Sequence, residues 1–200
     1  ICGSRHGFNM GISEETTETI LTDYLRRQGG DVVRSSRLVD LKARARDVVA
    51  TIERDGATEE ISARWVVGCD GLHSITRELS GIELAGHDIP EQWAVFDVTL
   101  TGWPLPYEAI YAYMDDPPVI LTALPNRRWR AYRRPSSADS DLLADASSTI
   151  LRYYPTIRFD DVENPTRFHC HTKVATRFRS GRALLAGDAA HLCSPFQGHG

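Results

Sequence analysis

The chain has 200 residues, 42% hydrophobic and 25% charged, which is the balance of an ordinary globular protein and excludes a disordered chain or a coiled coil. Its 23 lysines and arginines are outweighed by 27 aspartates and glutamates, and a formal charge of -4 gives no broad attraction to nucleic acid or an anionic membrane. The longest apolar runs are strand-sized, far from the roughly 20 residues of a transmembrane helix, so no membrane span is expected.

In chain order, residues 13–30 carry the clearest helix. Ser13 stands as N-cap, Glu14 and Glu15 occupy the first turn, and Ile20, Leu21, Tyr24 and Leu25 form an apolar stripe before the Gly29-Gly30 stop. Asp31–Val33 and Arg37–Leu41 read as short strands, and Val48–Glu53 alternates before the turn dipeptide Asp55-Gly56. A further strand is expected through Ile61–Cys69. Its last part, Trp65–Cys69, is continuously apolar, the pattern of a central parallel strand buried on both faces.

From about Gly86 the texture changes to aromatic residues, frequent prolines and short apolar runs such as Trp93–Val98 and Val119–Leu124, which read as antiparallel strands of a second domain. Five arginines, Arg127, Arg128, Arg130, Arg133 and Arg134, cluster there with Trp129 and Tyr132. They invite a nucleic-acid reading. A strand presenting arginines on one face beside a hairpin turn at Asn126 accounts for the same residues, and the negative net charge favours it. A short helix through Leu142–Tyr153, a strand over Arg167–Thr176 and a buried strand over Ala183–Ala186 complete the chain. Expected boundaries are 1–85 for part of a nucleotide-binding domain, 86–180 for an inserted antiparallel domain and 181–200 for the return, with the first residues open to belonging to the inserted sheet.

Two apolar strands end in glycine and aspartate. Val66-Val67-Gly68-Cys69-Asp70-Gly71 leads through Ser74 and Arg77 into a helix, and Ala183-Leu184-Leu185-Ala186-Gly187-Asp188-Ala189-Ala190-His191 leads to Pro195, Gly198 and Gly200. Ligands of open α/β sheets bind beyond the carboxyl ends of the strands, so both aspartates face a crevice. Gly187, Ala189 and Ala190 let a ligand approach the backbone, while Asp188 offers two acceptor oxygens to hydroxyl groups. Asp55-Gly56 is the control: amid alternating, charged residues the same dipeptide is a hairpin turn.

These two segments, Gly-Cys-Asp-Gly-x-x-Ser-x-x-Arg and Gly-Arg-x-x-x-Ala-Gly-Asp-Ala-Ala-His-x-x-x-Pro-x-x-Gly-x-Gly, resemble the second and third flavin fingerprints of the single-component FAD-dependent aromatic hydroxylases, the para-hydroxybenzoate and phenol hydroxylase group. Their separation of over a hundred residues leaves room for that family's substrate domain. The resemblance implies an α/β fold: a Rossmann-like FAD-binding domain, incomplete here, with an inserted antiparallel-sheet substrate domain. It implies that Asp188 meets the ribityl chain, with Gly187 and Ala189 beside it, and that the loop of Pro195, Gly198 and Gly200 lies along the isoalloxazine ring. It places Asp70 and Gly71 near the pyrophosphate, Arg77 in support of that loop, and Leu38 against the adenine. Glu14 stands where the family often has a flavin-contacting glutamine. The Gly-x-Gly-x-x-Gly fingerprint of such proteins is absent, and with Ile1 at the start and Gly200 inside a glycine-rich stretch the chain reads as a fragment.

The implied activity is NAD(P)H- and oxygen-dependent hydroxylation of a small phenol-like aromatic substrate through a flavin hydroperoxide, with no phenol-activating base assigned and a homodimer left open. A same-fold epoxidase, halogenase or lipid reductase, or a non-enzymatic binding domain, is the alternative. Trp93, Phe96, Tyr111 and Tyr113 are candidates to line the substrate pocket, with sheet packing as the competing role. His169 and His171 share a strand face that Cys170 leaves, and no Cys-x-x-Cys completes a metal set, so no metal site is expected. His191 reads as fixing the flavin loop. Four widely separated cysteines, Cys2, Cys69, Cys170 and Cys193, read as free thiols and suggest a cytoplasmic location.

Overall fold

The computed structural model describes residues 12–107, 109–137 and 139–193. In chain order the elements begin with α1 (Glu14–Arg27), β1 (Ser36–Ala43), β2 (Val48–Arg54), β3 (Ala57–Ala63), β4 (Val66–Gly68) and α2 (Ile75–Leu79). Then come β5 (Leu84–Thr101), β6 (Ile110–Tyr113), β7 (Val119–Leu124), β8 (Arg128–Arg133) and α3 (Leu142–Tyr153). The last are β9 (Arg158–Ala175), β10 (Arg179–Ser180), β11 (Ala183–Leu185) and β12 (His191–Leu192). The fold is mixed α/β. Residues 12–31 and 91–168 form one compact unit, the α3 unit, while 32–90 and 169–193 form a second, the α2 unit. No helix among the described residues is long and apolar enough to cross a membrane.

In the α2 unit, β1, β2 and β3 make an antiparallel meander. Asp55 and Gly56 both take positive φ, 52° and 78°, the left-handed pair that a tight two-residue hairpin requires. The expected single strand over Ile61–Cys69 is instead two strands in different sheets. Arg64 and Trp65 leave the meander, and the Val66 amide donates to the Arg182 carbonyl at 3.1 Å, starting a new ladder. The guanidinium carbons of Arg179 and Arg182 lie 4.9 and 5.1 Å from the Trp65 ring centre, and Arg182 also donates to the Arg64 and Ala45 carbonyls, which fixes the break. β4 pairs parallel with β11, as its apolar run predicts, but burial on both faces does not follow: Val67 is 53% exposed because no described residue covers its side of the three-stranded sheet β10-β11-β4. Asp31–Val33, expected as a strand, belongs to no described ladder and connects α1 to β1.

The α3 unit is an antiparallel sheet with two unlike faces, its strands ordered β9-β5-β8-β7-β6. Strand periodicity of two sends Phe96, Val98, Val119, Leu121, Trp129 and Ala131 to one face, where Ala146 and Ile150 of α3 cover them. Asp141 caps α3, its carboxylate accepting from the Leu143 and Ala144 amides. Phe96 is therefore core, and Tyr111 and Tyr113 pack against that core. The other face carries Asp97, Thr122 and Arg130 in register across three strands. α1 starts at its Ser13 cap as expected, but none of its residues is buried, so its apolar stripe is not matched by a covering surface among the described residues.

Candidate functional site

The α2 unit brings the two sequence motifs to one end of one small sheet. Gly68 of β4 stands opposite Leu185 of β11 in parallel register, and the Ala186 amide donates to the Gly68 carbonyl at 2.9 Å. Because the strands are parallel, both chains leave the sheet at the same edge, Cys69-Asp70-Gly71 beside Ala186-Gly187-Asp188. This is the carboxyl-end position at which α/β sheets bind ligands.

The first loop is held by its own aspartate. One Asp70 carboxylate oxygen accepts from the Ser74 hydroxyl at 2.5 Å, and the other accepts from the Thr76 amide at 2.9 Å and the Thr76 hydroxyl at 3.0 Å. Ser74 in turn caps α2, accepting from the Arg77 amide at 2.9 Å. Partial burial pushes the Asp70 carboxyl up, but these donors outweigh it and hold it below the usual aspartate value of 3.8. Thr76 was not singled out in the sequence; its place two residues after the cap serine is the signal. Gly68 is required by close packing, since a Cβ there would meet Thr76 Cβ at 2.6 Å.

Arg77 ties the loops together. Its guanidinium donates to the Leu72 carbonyl at 2.7 Å and to the Ala189 carbonyl at 3.1 Å, reaching 112 residues along the chain. In the second loop Gly187 turns with φ 58°, and the space a side chain would enter is open. Gly187–Ala189 forms one 3-10 turn, not the α-helix that Asp188 could have capped, and the chain passes into β12, which pairs His191 with Val174 of β9. The Asp188 carboxylate is exposed and has no hydrogen-bond or ionic partner among the described residues. Pro195, Gly198 and Gly200 lie outside the described residues. Leu38 sits half-buried on β1 opposite Ile52, where a bulge precedes Asp40. His171 is engaged by the Asp88 carboxylate at 2.5 Å, and Lys173 by the same carboxylate at 2.7 Å.

Glu14 belongs to the α3 unit, where it lines a cavity of about 730 Å³ with Ser13, Glu18, Asp97, Arg128 and Arg130. Arg130 makes a two-pronged pair with Asp97, Nε to Oδ1 at 2.8 Å and an Nη to Oδ2 at 3.0 Å, and this bonding raises the guanidinium further above its ordinary range against the effect of burial. Arg128 pairs with Glu163 and Arg134 with Asp116, so the arginine cluster is largely spent on internal carboxylates. Asp97 escaped the sequence reading. An acidic residue between Phe96 and Val98 in an alternating strand marks the face opposite the core, and that was the available signal.

Two outcomes follow from the loop geometry. Arg77→Met removes both carbonyl contacts and should cost about 2 kcal/mol of unfolding free energy, with faster amide exchange at 187–190; unchanged exchange would show that the loops are held independently. Asp70 is depressed in the folded state, so its contribution is present above about pH 4 and lost as pH falls through its lowered folded value. Asp70→Asn should therefore flatten the acid limb of melting temperature against pH, and an acid limb identical to that of the parent would contradict the assignment.

Comparison with known proteins agrees with this geometry. The family model described as FAD binding domain matches residues 4–200. The 3-(3-hydroxy-phenyl)propionate/3-hydroxycinnamic acid hydroxylase of Burkholderia cenocepacia (strain HI2424) is 33% identical over 207 residues, covering 98% of this chain and 36% of the relative. The 6-methylpretetramide 4-monooxygenase of Streptomyces rimosus is 30% identical over 202 residues, covering 96% and 36%. Among solved structures, the OxyS anhydrotetracycline hydroxylase from Streptomyces rimosus superposes with a TM-score of 0.74 at 26% identity, covering 96% of this chain and 40% of that one. The flavin-dependent monooxygenase PieE, in complex with FAD and substrate, gives 0.78 at 21% identity, covering 92% and 34%, and shares the fold. The chain thus spans little more than a third of the length of these relatives. With paired strand-end loops, their fingerprints and a match over nearly its whole length, the chain belongs to the FAD binding domain family.

Proposed function

We propose that the chain is the flavin-holding and substrate-facing part of an FAD-dependent monooxygenase that hydroxylates a small phenol-like aromatic compound with NAD(P)H and molecular oxygen. The observation that carries this reading is the parallel β4–β11 pair, which sets an uncommitted Asp188 carboxylate beside an ordered Asp70 loop. Hydroxylase relatives at 30% identity and above support the reaction class. A cytoplasmic location is part of the same proposal.

The residues present suit the cofactor. Asp188 is an open double acceptor at a strand end where Gly187 leaves room for a ligand against the backbone, the chemistry a ribityl chain of hydroxyls needs. Bound FAD would supply two-electron transfer from NAD(P)H and the activation of oxygen. Asp70 and Gly71 present the loop at the pyrophosphate side. With its oxygens occupied by Ser74 and Thr76, Asp70 serves there as a positioning residue that orders the loop backbone. Arg77 holds Ala189 in place, and Leu38 offers its strand to the adenine. The loop of Pro195, Gly198 and Gly200 is assigned the ring edge on its sequence. Glu14, in place of a glutamine, is assigned to the flavin by its place in the sequence and lines a charged cavity of about 730 Å³ in the α3 unit. The domain division at 86–180 belongs to this reading.

In the full-length protein Asp188→Ala should lower retained flavin at least about tenfold, since an interaction with several hydroxyls is lost; unaltered flavin content would remove the residue from the site. The reaction class is checked with isotopically labelled dioxygen and a panel of phenols. Incorporation of label into a ring hydroxyl is expected, and consumption of NAD(P)H without labelled product on any phenol would overturn the hydroxylase assignment.

A further inference from the structure

A smaller cavity, of about 400 Å³, opens in the α2 unit at the amino ends of β4 and β11, the edge of their sheet opposite to Asp70 and Asp188. Its wall includes Arg44 and Ala45 just after β1, Trp65 just before β4, and Arg179, Gly181 and Arg182 around the β10–β11 turn. Trp65 is 40% exposed, and the guanidinium carbons of Arg179 and Arg182 lie 4.9 and 5.1 Å from its ring centre. Exposed Arg46 and Arg64 adjoin these residues in the chain. Positive charge is thus gathered around one tryptophan in a chain whose net charge is -4.

The hydrogen bonding of this wall is one-sided. Arg182 donates to the Arg64 carbonyl at 3.1 Å and the Ala45 carbonyl at 3.3 Å, and Arg179 Nε donates to the Gly181 carbonyl at 2.9 Å. These bonds use backbone acceptors and cancel no charge, since neither arginine has a carboxylate partner among the described residues. Arg44 comes no nearer than 3.8 Å to the Asp47 carboxylate, which already accepts from the Ser62 hydroxyl at 2.7 Å. A guanidinium carries five N–H donors and no acceptor, so the terminal nitrogens of Arg179 and the fork of Arg44 remain as donors on the wall. Elsewhere the protein pairs such groups: Arg37, Arg54, Arg130 and Arg134 each have a carboxylate. One arginine over Trp65 is enough for a cation–π contact; the second brings like-charge repulsion that no carboxylate of the described residues offsets.

We propose that this cavity binds a phosphate-type oxyanion, free or as a monoester, between the guanidinium forks of Arg44 and Arg179. Planar forks match the paired oxygens of a phosphate bidentately, and its charge meets the excess the wall holds. Arg182, its nitrogens given to carbonyls, adds charge without contact, and Trp65 walls one side. Neutralising the arginines there also steadies the Trp65 clasp that sets the β4–β11 register, which links anion binding to stability. The cavity shares no residue with the loops assigned to the flavin, and the proposal is independent of the reaction given above.

The test is calorimetric titration of the FAD-loaded, full-length protein with inorganic phosphate and with glycerol 3-phosphate, in about 0.15 M sodium chloride so that general charge attraction is screened. Saturable binding is expected, and the tighter of the two probes tells the free ion from a phosphate monoester as the source. Arg44→Gln and Arg179→Gln should each weaken it about tenfold; Arg44 is exposed and carries the test alone if the second variant does not fold. Arg158→Gln makes the same charge change at an exposed position of the α3 unit and should bind as the parent does. The proposal is overturned by the absence of saturable binding of either probe, by Arg44→Gln and Arg179→Gln proteins that bind as tightly as the parent, or by an equal loss in Arg158→Gln, which would make the attraction one of net charge.

Discussion

Parallel pairing of two three-residue strands, Val66–Gly68 and Ala183–Leu185, is the constraint from which the candidate site follows. Short parallel ladders are weak alone, and these two strands are brought together over a long chain separation whose closure entropy opposes them. Their register is secured at both ends. At the entrance Arg182 and Arg179 clasp Trp65, and Arg182 reaches back to the meander through the Ala45 carbonyl. At the exit Ala186 donates to Gly68, and Arg77 spans from its own loop to Ala189. Loss of register by one residue would turn every side chain of β11 to the other face and carry Asp188 away from the crevice.

The exit clasp also divides labour between the two aspartates. Sequence presents them as equivalents, each lying beside a glycine at the end of an apolar strand. Asp70 meets a helix start within six residues, and the donors of that start, Ser74 and Thr76, absorb both of its oxygens. Asp188 enters a single 3-10 turn with no such donors, and among the described residues its oxygens have no partner. Local chain path, not the dipeptide, decides which carboxylate orders the protein and which is left for a ligand.

Legibility in the sequence tracks how local the controlling interaction is. The Asp55-Gly56 hairpin, the Ser13 helix start and the α3 boundaries depend on neighbours a few residues away, and they stand where the spacing predicts. Burial does not work this way. Trp65–Cys69 reads as a strand covered on both faces, but covering requires surfaces supplied by other segments, and Val67 is open. The same holds for the stripe of Ile20, Leu21, Tyr24 and Leu25, whose periodicity gives the helix without giving what covers it. The break at Arg64 and Trp65 was hidden because the competing partner, Arg182, lies 118 residues later. The pocket aromatics divided similarly: Phe96 alternates onto the core face, which only the pairing of β5 with β8 reveals.

Across the α3 unit, arginines find partners on neighbouring segments, though not at every nitrogen. Arg130 takes Asp97 in two-pronged fashion, Arg128 takes Glu163, and even the buried Arg133, whose guanidinium burial pulls toward neutrality, finds the Thr149 hydroxyl at 2.7 Å. Pairing is partial even so: the Nε of Arg128 and the Nε of Arg133 are buried with no partner among the described residues, so one bonded nitrogen does not satisfy a whole guanidinium. Asp188 is the opposite case, an exposed acceptor with no donor among the described residues. An accessible double acceptor of that kind suits a hydroxyl-bearing ligand, whereas donors sealed in the core are closed to any ligand.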